Sequence, residues 1–178
     1  MRAADIFMRA AGRGAIGWGG LALLALLGSA GAALAQDADP VAGRQLWMTK
    51  ASCKNCHGWG GHGVPDVPQE PQGLSFRKTS LTPQQFAEVV RCGRPGTDMP
   101  YFLSAGWSAT AKNCYGMSRG DIGDQIPARA TALLPDREIA AIVAFIFKDF
   151  VGKPLPTLEE CQEFFGAATT RCNEYPKR

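Results

Sequence analysis

Several features that would suggest a function at once are absent from this 178-residue sequence. The formal net charge is only +3, whereas a nucleic-acid-binding domain presents a strongly basic face. No internal repeat or low-complexity tract is visible after residue 35, which excludes repeat architectures. Alternating apolar and polar residues are also scarce, so the pattern does not favour a β-rich fold.

Histidine is scarce: the chain contains His57 and His62 and no other. A structural zinc site requires four ligands, and the sequence has no second CxxC and no HxxxH pair to supply them. A redox dithiol would use CxxC at the start of a helix after a strand, and no βαβ pattern precedes the CxxC found here. Zinc-finger and thioredoxin-like functions are therefore disfavoured.

The first 35 residues differ from the rest of the chain. Arg2, Arg9 and Arg13 give a basic start, and an uncharged apolar stretch then ends in the small-x-small sequence Ala33-Leu34-Ala35. This pattern predicts a secretory signal peptide over residues 1–35, with the mature chain beginning at Gln36. The alternative is an uncleaved anchor, since the uncharged stretch is about long enough to span a bilayer. Membrane attachment is expected only in that case.

The chain has six cysteines, and disulfides persist in secreted proteins. Two of them belong to the CxxC motif, which leaves an even number with three possible pairings: Cys92, Cys114, Cys161 and Cys172. Proximity in the sequence favours Cys92–Cys114 and Cys161–Cys172. A link from Cys92 to Cys161 or Cys172 stays open as the alternative.

Cys53, Cys56 and His57 form the motif CxxCH. Positions i, i+3 and i+4 share one face of a helical turn. Both thiols can therefore reach the two vinyl groups on one haem edge while the imidazole lies under the iron. The motif is typical of c-type haem attachment, and a plain disulfide would leave the adjacent histidine unexplained. The sequence predicts one covalently bound haem c.

Helical patterns surround this motif. A helix is predicted over residues 40–51, with Pro40 in its first turn. A second helix opens with a capping box at Thr82 and stops at Gly93, and a third runs from Asp136 to Phe150 with apolar residues on one stripe. The expected fold is a small all-α bundle around a planar cofactor.

With this motif and these helices, residues 40–150 resemble the class I mono-haem cytochrome c family of bacterial periplasms. Three ordered blocks carry the resemblance: Gly43 and Trp47 with the CxxCH; Leu81-Thr82-Pro83 followed by Gly96-Thr97-Asp98-Met99-Pro100; and Leu134-Pro135-Asp136-Arg137-Glu138-Ile139. The resemblance implies the cytochrome c helical fold, one haem c, and a periplasmic location.

The second axial ligand has a short list of candidates. Met99 follows a capped helix and a turn, and Pro100 pins it. Met117 lies in a loop that could reach the iron, Met48 fits a gap-filling role in the core, and His62 is awkwardly close to His57. In the resembled family the methionine of this Met-Pro pair is the sixth ligand, and Met99 matches it.

The resemblance also implies contacts around the haem. In the family, a proline carbonyl shortly after the haem motif accepts the N–H of the axial histidine. Pro65 matches that proline best, with Pro68 next. Further candidates for contacts with the haem propionates, or for ordinary packing, are Trp59, Arg77, Arg94 and Tyr101.

The chain departs from the family in two places. The predicted cytochrome domain covers residues 36–152, but it contains an insertion at about 103–133, which would form a docking surface, shield the haem edge, or be tolerated decoration. Residues 153–178 form a C-terminal extension. Its capping box at Thr157 predicts a helix to about Phe165, and the Cys161–Cys172 pairing would tie it down.

A thioether ligand fills the iron's coordination shell and raises its potential. The sequence therefore predicts an electron carrier, not an enzyme, that passes single electrons from a periplasmic dehydrogenase to a downstream cytochrome or terminal oxidase. Residues 44–119 carry nine basic and four acidic side chains, which favours an acidic partner. The alternative is a gas sensor or peroxidase-like enzyme whose sixth ligand is open or displaceable.

Overall fold

The computed structural model describes residues 38–173. The predicted signal peptide, its cleavage site and the last five residues of the C-terminal extension lie outside the described residues. The described part is helical, with no strand. Its six α-helices are α1 (Pro40–Met48), α2 (Lys54–His57), α3 (Pro83–Cys92), α4 (Arg119–Ile122), α5 (Asp136–Asp149) and α6 (Leu158–Phe165), and 3-10 turns cover Gly123–Gln125 and Thr170–Cys172.

The helix ends follow from local chemistry. The side chain of Thr82 caps α3 and that of Thr157 caps α6, each within a complete capping box, as the sequence predicts. The α1 helix begins after Asp39, whose carboxylate accepts the Val41 N–H at 2.8 Å. It ends at Met48 rather than at the predicted residue 51, because Thr49 leaves the helical conformation, with φ of −119° and ψ of −89°.

The core forms where α1 crosses α5. Gly43 lies at the crossing, where a Cβ would overlap the Ala141 carbonyl and approach Phe145 Cβ to 2.9 Å. The absent side chain lets the two backbones come close, and Trp47 is completely buried one turn further along α1. Helix α3 also packs against α5, and its Phe86 and Val90 belong to the same core cluster. These three helices hold the segments that carry the predicted haem ligands.

Two smaller apolar clusters flank this core, and each contains a disulfide. Cys92–Cys114 packs with Trp107, and Cys161–Cys172 packs with Trp59. Both are the pairings that sequence proximity favours. Between residues 38 and 173, no helix combines the length and apolarity that crossing a membrane requires.

We expect Gly43→Ala to lower the free energy of unfolding by at least about 2 kcal/mol, because the added methyl group would force α1 and α5 apart. Gly120→Ala is the matched control, since its Cβ would meet nothing closer than 3.8 Å, from Ser118 Oγ. Chemical denaturation of both variants measures the difference. Equal stability of the two variants would contradict the close crossing.

Candidate haem site

The CxxCH motif occupies a single helical turn. Helix α2 contains only four residues and ends at Gly58, which has φ of 73°. A Cβ at Gly58 would also lie 2.6 Å from His62 Cε1, so glycine is required there by both conformation and space. The turn gives Cys53, Cys56 and His57 their positions along one cavity.

This cavity has a volume of about 1180 Å³. Its walls are largely apolar and come from α1, α3, α5 and the loops between them. The lining includes Trp47, Leu74, Phe76, Phe86, Val89, Val90, Ile142 and Ile146, together with both motif cysteines, His57, Met99 and Met117. The structure thus brings the predicted attachment residues and the predicted methionine ligand to one cavity.

The imidazole of His57 is held by Leu74, not by Pro65. Nδ1 of His57 lies 2.9 Å from the Leu74 carbonyl oxygen, and burial of the ring lowers its pKa. A neutral imidazole that donates from Nδ1 leaves the lone pair of Nε2 for a metal. The resemblance assigned this contact to the carbonyl of Pro65. In the structure the carbonyl of Leu74, further along the chain, takes its place.

Gly73 allows this replacement. Its N–H donates to the Cys56 carbonyl at 2.9 Å, which folds residues 71–76 back over the motif. A Cβ at Gly73 would overlap His57 Nδ1 and lie 2.7 Å from Cε1. No periodicity or spacing in the sequence marks Gly73 or Leu74, so sequence reasoning missed both.

Cys53 and Cys56 form no disulfide, unlike the other four cysteines. Burial raises the pKa of the Cys53 thiol to about 12. Burial, and then the charge of nearby Glu70, also raise the pKa of the Cys56 thiol. Reactive and metal-binding cysteines instead have lowered pKa values that favour the thiolate, so the two thiols stay protonated at neutral pH.

The other candidates for the second axial ligand differ in whether they line the cavity. Met48 packs against the main core. His62 lies beside Trp59, with 6.1 Å between ring centroids, and neither Met48 nor His62 lines the cavity. Met99 packs against the main core and Met117 against the cluster around Cys92–Cys114. Met99 and Met117 both line the cavity, and they come from different parts of the fold.

The candidates for contacts with the haem propionates also differ in whether they line the cavity. Arg94 lines the cavity together with Lys78 and Asp98. Arg77 is instead buried away from it, where its guanidinium donates to the carbonyls of Gly60 and Pro154. Trp59 packs on the C-terminal extension through Phe164 and Phe165, and Tyr101 also lies outside the cavity lining.

Comparison with known protein families, curated proteins and solved structures gives no match for this chain. Within residues 38–173, no group of three or more histidine, cysteine, aspartate or glutamate side chains is arranged to hold a bare metal ion.

We expect Gly73→Ala to displace the His57 ring from the Leu74 carbonyl, because the methyl group would occupy the space of Nδ1. The protein should lose at least about 1 kcal/mol of stability, and the yield of the covalent haem that the motif predicts should fall several-fold. Gly120→Ala again serves as the control. A haem yield equal to that of the control would show that the histidine does not depend on this contact.

Proposed function

We propose that this protein is a mono-haem c-type cytochrome of class I that carries single electrons in the periplasm. One observation carries the proposal: Cys53, Cys56 and His57 line the same apolar cavity as Met99, which comes from a distant loop. A thiol pair, an imidazole and a thioether are the groups that attach and ligate a haem c.

The cavity fits such a group in size and chemistry. Its volume of about 1180 Å³ exceeds the roughly 300–1000 Å³ of pockets that hold drug-sized ligands, so the cavity has room for a group as large as a haem. Trp47 lines it, and the indole N–H of Trp47 is buried with no acceptor among the described residues. A buried donor of this kind fits a ligand that carries carboxylates, as haem does, because an unpaired buried N–H is costly.

The roles of the side chains follow from their chemistry. The Cys53 and Cys56 thiols would each add their S–H across one vinyl group, a step that consumes no oxidant. His57 would donate Nε2 to the iron while the Leu74 carbonyl fixes its ring. Met99 would fill the last position, raise the potential and exclude other ligands. The bound haem supplies one reversible electron transfer.

The proposed donor is a periplasmic dehydrogenase, and the proposed acceptor is a downstream cytochrome or terminal oxidase. Lys78 and Arg94 line the cavity, against one acidic residue, Asp98. This excess agrees with the basic character of residues 44–119 and favours an acidic partner surface. Charges at a rim mainly accelerate association.

Carbon monoxide tests the proposal against the alternative of a sensor or peroxidase-like enzyme. We expect the reduced wild-type protein to bind none at atmospheric pressure, because Met99 occupies the coordination position. Reduced Met99→Ala is the positive control and should bind one equivalent. Stoichiometric binding by the wild type would reject the electron-carrier proposal and favour an open haem.

A further inference from the structure

The insertion, residues 103–133, contacts the segment that presents Met99. This segment, residues 93–100, is called the methionine loop here. At its start, the Trp107 indole N–H donates to the Cys92 carbonyl at 2.8 Å, and the Tyr115 hydroxyl donates to the Gly93 carbonyl at 2.6 Å. The Cys92–Cys114 disulfide joins the same point to the insertion covalently.

The insertion also holds the middle and the far end of the methionine loop. The Gly96 N–H donates to the Gln125 carbonyl at 2.9 Å. Directly after the loop, the Tyr101 N–H donates to the Ala128 carbonyl at 3.0 Å, and the Tyr101 carbonyl accepts from Ala130 at 2.9 Å. The insertion therefore contacts the loop at its start and its middle, and it also holds the residues on either side of the loop, Cys92 and Tyr101.

The methionine loop has little support of its own. Arg94, Gly96, Thr97 and Asp98 are exposed, and the bonds within the loop are short-range, such as that from the Arg94 N–H to the Met99 carbonyl at 3.1 Å. Exposed segments held by few contacts open easily. The contacts from the insertion supply what the loop itself lacks.

We infer that the insertion is a brace that holds Met99 in its ligating position, with Tyr115 and Trp107 as positioning residues. This inference rests on the proposed function. By fixing the loop in advance, the brace reduces the ordering cost of ligation. It thereby strengthens Met99 against competing ligands. The insertion is accordingly part of the electron-transfer machinery rather than surface decoration.

The two disulfides provide a matched test in the haem-loaded, full-length protein. The variant Cys92→Ser with Cys114→Ser opens the brace, and Cys161→Ser with Cys172→Ser opens the remote C-terminal disulfide. Two properties are measured in each ferric protein: the charge-transfer band of methionine sulfur on iron, and the dissociation constant of added imidazole. We expect the first variant to bind imidazole at least tenfold more tightly with a weaker band, and the second to stay within twofold of the wild type.

A smaller change tests the same point without opening a disulfide. Tyr115→Phe removes only the hydroxyl bonded to Gly93, and imidazole should bind about fivefold more tightly, which corresponds to about 1 kcal/mol. Tyr101→Phe is the matched control, because the Tyr101 hydroxyl makes no hydrogen bond to any described residue. That control should match the wild type.

The outcomes separate this inference from the proposed function. If the wild type shows the methionine band and neither Tyr115→Phe nor the Cys92/Cys114 variant changes the band or the imidazole affinity, the brace is rejected and the cytochrome proposal stands. Equal effects from both disulfide variants would also reject the brace, because they would reflect general destabilisation. Absence of the band from the wild type rejects both proposals.

Discussion

The close crossing of α1 and α5 at Gly43 is the constraint on which the other contacts depend. Because no side chain separates the backbones there, Trp47 enters the core and α5 can present Ile142 and Ile146 to the cavity. Only residues 49–52 separate the motif from α1, so the position of this helix influences the position of His57. A wider crossing would move the histidine relative to the α5 wall.

Three loops lie around this core, next to the candidate haem ligands, and each is held in place by different contacts. Gly73 lets residues 71–76 close over His57. The insertion holds the methionine loop through a disulfide and side-chain bonds to backbone carbonyls. The C-terminal extension covers the segment after the motif through Trp59. Loops with such external support can hold His57 and Met99 at fixed positions although the loops contain little regular secondary structure.

The parts of this structure that depend on local chemistry could be predicted from the sequence. Each capping box, at Thr82 for α3 and at Thr157 for α6, involves residues only three positions apart in the chain. Short sequence separation likewise favoured both disulfides correctly. Leu74 could not be predicted, because its contact with His57 depends on how a loop folds back over a glycine. The early end of α1 depends on the backbone conformation of Thr49, and no stop signal such as glycine or proline marks that position in the sequence.

The most direct measurement is the optical spectrum of the ferric protein in three forms: wild type, Met99→Ala and Met117→Ala. Both methionines line the cavity, so the second substitution is a matched control for the first. We expect the charge-transfer band of iron-bound methionine sulfur to be present in the wild type, lost in Met99→Ala and retained in Met117→Ala. A band that survives Met99→Ala, or one that is missing from the wild type, would contradict the assignment of Met99 as the ligand.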